Sequence, residues 1–90
     1  MAMAYRGLVK LSEECGELVQ IIAKKIAYCL TDEHPDGKGS MQERLQDEMA
    51  DVYAALDFVA KRNNFDIEAM QKRHKAKLAL FQQWDYQNEE

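Results

Sequence analysis

The sequence predicts an all-α chain, an antiparallel helical bundle that assembles as a dimer or tetramer. Three observations carry this. Apolar residues recur every three or four positions over most of the length. There is one proline and four glycines in 90 residues, too few for a turn-rich β fold. The single Pro/Gly-rich stretch, 31–40, separates two long periodic segments.

The first helix is predicted from about Ala2 to Leu30, with Leu8, Leu11, Cys15, Leu18, Ile22 and Ile26 as its stripe. Gly7 and Gly16 weaken it, by ~1 kcal/mol each. Gly16 could instead admit a close neighbour. A loop follows from Thr31 to Ser40. Ser40 and Glu43 form a capping box for a second helix, about Met41 to Asn63, with Leu45, Met49, Val52, Leu56 and Val59 as its stripe. Asn63, Asn64 and Phe65 form a short turn, with Asn63 a possible cap of the helix it ends. Asp66 then caps a last helix to about Trp84, with Ile67, Met70, Leu78, Phe81 and Trp84 apolar. The whole of 1–90 reads as one domain, with 85–90 a frayed polar tail. Three helices of this length leave apolar surface for a homodimer or homotetramer.

Composition narrows the function classes. The net charge of −4 argues against binding a nucleic-acid polymer, which needs a basic surface. No apolar run is long enough to span a membrane and no signal core is present, so a cytoplasmic location is expected. Cys15 and Cys29 lie in apolar stretches and read as reduced, buried thiols.

The two long helices repeat. Shifted by 34 residues, Leu11 falls on Leu45, Leu18 on Val52 and Ile22 on Leu56. Glu13 and Glu14 fall on Asp47 and Glu48, and Glu17 on Asp51. On a helical wheel Glu14 lies in the arc between Leu18 and Ile21, and Glu48 between Val52 and Ala55. Glu17 and Asp51 sit one turn further along. If the stripes face each other, four carboxylates converge at the edge of the core. Their mutual repulsion calls for protons or a cation. Carboxylates without His or Cys suit Mg²⁺, with Mn²⁺ a possible substitute. A solvated acidic face is the competing reading. A di-iron site would need Glu-x-x-His pairs, which are missing.

The segment Glu13-Glu14-Cys15-Gly16-Glu17, followed by Glu48-Met49-Ala50-Asp51, resembles the paired signature of the MazG-like all-α nucleoside triphosphate pyrophosphohydrolases. The likeness spans about Leu8 to Trp84. It implies that Glu14, Glu17, Glu48 and Asp51 hold Mg²⁺. It implies hydrolysis of a nucleoside or deoxynucleoside triphosphate to the monophosphate and pyrophosphate, in control of the nucleotide pool. Glu13 is the candidate water-activating or supporting group, with Asp47 a surface acid. Family members hold phosphates with basic residues, for which Lys24 and Lys75 are the candidates here. Lys24 shares the Glu17 side of its helix, and Lys75 belongs to a lysine-rich run that also fits a solvated face. The gap between the two motif halves is long for the family, and its extra length falls in the loop around His34, either a flap over the nucleotide or a surface turn. The alternative function is a non-catalytic bundle that binds a partner. A complete acidic set argues for the enzyme.

Overall fold

The computed structural model describes residues 6–28, 37 and 39–87. Three helices form: α1 (Leu8–Ala27), α2 (Met41–Arg62) and α3 (Ile67–Gln87). No strand occurs among the described residues, as the periodicity predicts. No helix among them is long and apolar enough to cross a membrane. The outer ends of the first predicted helix, Cys29, the loop residues 31–36 and 38, and the tail 88–90 lie outside the described residues.

Local chemistry sets the helix ends. Ser40 stands in extended backbone and its Oγ accepts a hydrogen bond from the Glu43 N–H at 3.0 Å, starting α2 as expected. Asp66 Oδ1 accepts one from the Ala69 N–H at 3.0 Å and starts α3. That helix runs on through Gln87, so 85–87 are helical rather than frayed; nothing in Asp85-Tyr86-Gln87 breaks a helix. Gly7 is not a helix-interior residue. It is the N-cap of α1, with φ of 88°, where L side chains are strained. A Cβ there would also lie 2.7 Å from the Phe58 ring. Glycine is therefore required twice over at position 7, and its helix-interior penalty does not apply.

α1 and α2 pack antiparallel. Gly7 meets Phe58 and Val59 at one point, and ten residues on Glu17 meets Glu48. The start of α1 is tied to the end of α2 by the Asn63 side chain. Its Oδ1 accepts from the Arg6 N–H at 3.0 Å, and its Nδ2 donates to the Arg6 carbonyl at 2.9 Å and the Val59 carbonyl at 2.8 Å. Asn63 thus caps its own helix and also fixes the register of the pair.

The seam follows a heptad. On α1 the positions withdrawn from water are Leu11, Glu14, Leu18, Ile21 and Lys25, following Gly7 at its N-cap; on α2 they are Met41, Arg44, Leu45, Glu48, Val52, Ala55, Val59 and Ala60. Apart from Arg44 and Ala60, which adjoin the row on α2, both sets alternate steps of four and three, the spacing of a two-helix seam. Ile21 and Val59 are nearly fully buried, and each contributes about 2 kcal/mol by leaving water.

Four of the six residues of the first predicted stripe and two of the five of the second face elsewhere. Leu8, Cys15, Ile22 and Ile26 on α1, and Met49 and Leu56 on α2, are exposed. Cys15 is therefore an exposed thiol and not a buried one. The reason is geometric: each stripe is wider than one seam, and a single partner helix covers only one edge of it. α3 buries none of its residues. The molecule measures 45 × 36 × 17 Å. Its thin dimension exceeds the ~10–12 Å diameter of one helix too little for a second full layer.

Candidate metal centre

Two of the seam positions are occupied by acids. Glu14 takes the place of an apolar residue between Leu11 and Leu18, and Glu48 does so between Leu45 and Val52. Helix periodicity pins both carboxylates between the helices, where solvent is partly excluded. Glu17, on the next turn of α1, leans onto the same point from the exposed side. One carboxylate oxygen from each of Glu14, Glu17 and Glu48 lies within 4.8 Å of the other two.

The electrostatics are unfavourable as they stand. Burial pushes the Glu14 carboxyl above its ordinary value, and the charges of Glu17 and Asp51 push it further. Burial raises Glu48 as well, followed by Glu17, Asp51 and Glu14. One oxygen of each, Glu14 Oε2 and Glu48 Oε2, is shut off from water with no hydrogen-bond partner. Buried polar atoms are normally paired, so two orphaned oxygens facing like charges need an explanation. A cation supplies one. The donors are all carboxylate oxygens, which fits a hard ion such as Mg²⁺ or Mn²⁺ and does not fit zinc. His74 lies away from the cluster, in a groove between α2 and α3 with Tyr53, Leu56 and Met70, so it does not make this a Glu/His site.

The remaining candidates fall into place around this centre. Asp51 is outside the group of three but lines the adjoining cleft beside Glu14, close enough for its charge to act on Glu14 and Glu48. Glu13 is exposed and accepts from Lys10 Nζ at 3.1 Å. Lys24 is exposed in the last turn of α1, where a cation complements the helix dipole. Lys75 is exposed on α3, and among the described residues those lining the cleft come from α1 and α2. Neither of these lysines is brought to the carboxylates within one chain.

Lys10 is the residue that sequence reasoning passed over. It stands four positions before Glu14, one helical turn away, and that spacing was its signal. The cleft it lines, with Glu14, Asp51, Ala54, Ala55 and Phe58, has a volume of about 380 Å³.

A family model for the MazG nucleotide pyrophosphohydrolase domain matches residues 6–80. No curated protein and no solved structure gives a significant match.

Proposed function

From the premise that the chain belongs to the MazG nucleotide pyrophosphohydrolase domain family, we propose that it hydrolyses a nucleoside or deoxynucleoside triphosphate to the monophosphate and pyrophosphate with Mg²⁺, in control of the nucleotide pool. The observation that carries this reading is the pair of partnerless buried oxygens on Glu14 and Glu48, with Glu17 beside them. Glu14, Glu17 and Glu48 would hold the ion, with Asp51 completing the acidic set from the cleft side. When bound, Mg²⁺ supplies positive charge to the phosphoryl oxygens and makes water more acidic.

The chain's own residues do the rest. The seam would hold Glu14 and Glu48 in place before substrate arrives, with Glu17 beside them, so that little reorganisation accompanies binding. Glu13, on the exposed side, would take the proton from water as its oxygen bonds to the α-phosphorus. The bond from the α-phosphorus to the bridging oxygen then breaks, and pyrophosphate leaves with that oxygen.

The working unit is proposed to be a homodimer or homotetramer. The chain exposes 7762 Å². A compact monomer of 10.4 kDa exposes about 5,400 Å². The excess, roughly 2,400 Å² per chain, is within the range that obligate subunits cover. It includes Ile26, Leu80, Phe81 and Trp84. Assembly would also give α3, and Lys75 on it, a surface to pack against.

The test is a panel of ribo- and deoxyribonucleoside triphosphates with Mg²⁺, scoring pyrophosphate against orthophosphate, with Glu48→Gln and Asp51→Asn alongside. Pyrophosphate release that both variants lose supports the reaction and the acids. Orthophosphate alone, or turnover that survives both substitutions, refutes it.

A further inference from the structure

We propose that Lys10 is a phosphate-binding residue, and that the cleft between Lys10 and Asp51 receives the phosphate chain of the substrate and its pyrophosphate product. The inference rests on the proposed function for the identity of the ligand. It adds a residue and a location that neither the acidic motif nor the lysines of the other helices supply.

The lining of the cleft decides what it can take. Its polar groups are Lys10, Glu14 and Asp51, and the rest is Ala54, Ala55 and Phe58. Lys10 is the only basic side chain lining it among the described residues. An ion held by Glu14 would sit at one wall, and Lys10 stands at the same cleft one turn away. A polyphosphate bound to that ion carries more negative charge than the ion cancels, and an ammonium is the matching partner. The two alanines leave the space open, and about 380 Å³ accommodates a diphosphate.

Lys10 is also free to move onto a ligand. Its side chain is 64% exposed, and its contact with Glu13 joins two exposed groups. Such pairs are held weakly in water. Glu13 and Glu14 both favour its charged form, so it meets phosphate as a cation. Trading Glu13 for phosphate would at the same moment release the Glu13 carboxylate, the proposed proton acceptor. Lys24 and Lys75 lack this placement.

The experiment uses the full chain and its Lys10→Met, Lys10→Arg and Lys24→Met variants. Calorimetry measures Mg²⁺ alone, then inorganic pyrophosphate with Mg²⁺ saturating. Steady-state kinetics follow with purine and pyrimidine triphosphates. Lys10→Met is expected to weaken pyrophosphate by about tenfold. It should raise KM by a similar factor for every base, and leave affinity for Mg²⁺ alone unchanged or tighter. Lys10→Arg should restore most of the loss, and Lys24→Met should behave as the parent. Unchanged pyrophosphate affinity in Lys10→Met overturns the inference, and does so with the proposed function intact if turnover persists. Parallel loss of affinity for Mg²⁺ alone also overturns it, because that marks a structural role. No pyrophosphate binding by the parent overturns it as well. Lys10-dependent pyrophosphate binding without turnover of any nucleotide keeps the inference and removes the proposed reaction.

Discussion

Replacing Glu48 by Gln should make the metal-free protein more stable while abolishing its response to Mg²⁺. Most substitutions at a seam position destabilise. Here the parent side chain is the unfavourable one: a carboxylate with a buried, partnerless oxygen, near Glu17 and Glu14. An amide of the same shape carries no charge, and its Nε2 can donate to the neighbouring Glu17 oxygen. A hydrogen bond to a charged acceptor is worth up to ~3 kcal/mol, but this one borders solvent, so about 1 kcal/mol is the appropriate size. In a domain of this length that is a rise in Tm of roughly 4–8 °C. The parent should instead gain from Mg²⁺, by ~2.7 kcal/mol at a hundredfold excess over Kd. The assay is thermal unfolding by circular dichroism in EDTA and across a Mg²⁺ series. A Glu48→Gln protein that melts below the parent in EDTA, or that still gains from Mg²⁺ as the parent does, refutes the claim that this seam is built around a cation.

The raised carboxyls of Glu14 and Glu48 fix the sign of a pH effect. The native state holds these protons more tightly than the unfolded chain, so between the ordinary glutamate value of 4.5 and the raised one, stability falls as pH rises. Urea melts in EDTA should show the parent gaining stability on acidification from pH 7 into that window, with a weaker gain in Glu48→Gln. Asn63→Ala removes two hydrogen bonds that tie the start of α1 to the end of α2 and a third that caps α2 itself. It should lower stability by about 1–3 kcal/mol, and a denaturant midpoint equal to the parent's would contradict the clamp. Sedimentation equilibrium at micromolar concentration should find a dimer or tetramer, and Phe81→Glu should shift it toward monomer. A parent that runs as a monomer would show that the exposed apolar faces have another use.

What could be read from the sequence follows how local each signal is. The Ser40 and Asp66 caps involve residues three apart, and both form as the pattern predicts. The convergence of Glu14 and Glu48 needed only the helical period and the 34-residue repeat. The Asn63–Arg6 pairing joins residues 57 positions apart and has no local signature. Gly7 reads as a weakness inside a helix because its neighbour Phe58 is nearly as distant in sequence. The exposed part of each stripe departs from the expectation for a related reason. Periodicity reports that a face is apolar, but not whether the same chain covers it, so Cys15 and Ile22 read as core. Lys10 belongs to no basic cluster, so its only signal in the sequence is one acidic neighbour a turn away.

The placement of the acids also bears on why the chain keeps an energetically poor seam. Had Glu14 and Glu48 been Leu, the heptad would run apolar from Leu11 to Ile21 and from Met41 to Val59, and the pair would be more stable. Had they stood on the outer faces, they would be solvated, far from each other and weak as ligands. At the seam they are brought together by the same packing that defines the fold, so the position of one carboxylate relative to another is set by helix register. The Asn63 clamp and the Gly7–Phe58 contact are the features that hold that register. A slip of one turn, about 5.4 Å, would leave the apolar stripes in contact yet pull Glu14 and Glu17 past Glu48. If the acids hold Mg²⁺ as proposed, the arrangement ties metal affinity to correct packing of α1 on α2. Substitutions at Asn63 should weaken Mg²⁺ binding as well as folding, even though Asn63 touches none of the acids. A variant that lost stability there and kept the parent's Mg²⁺ affinity would separate the two.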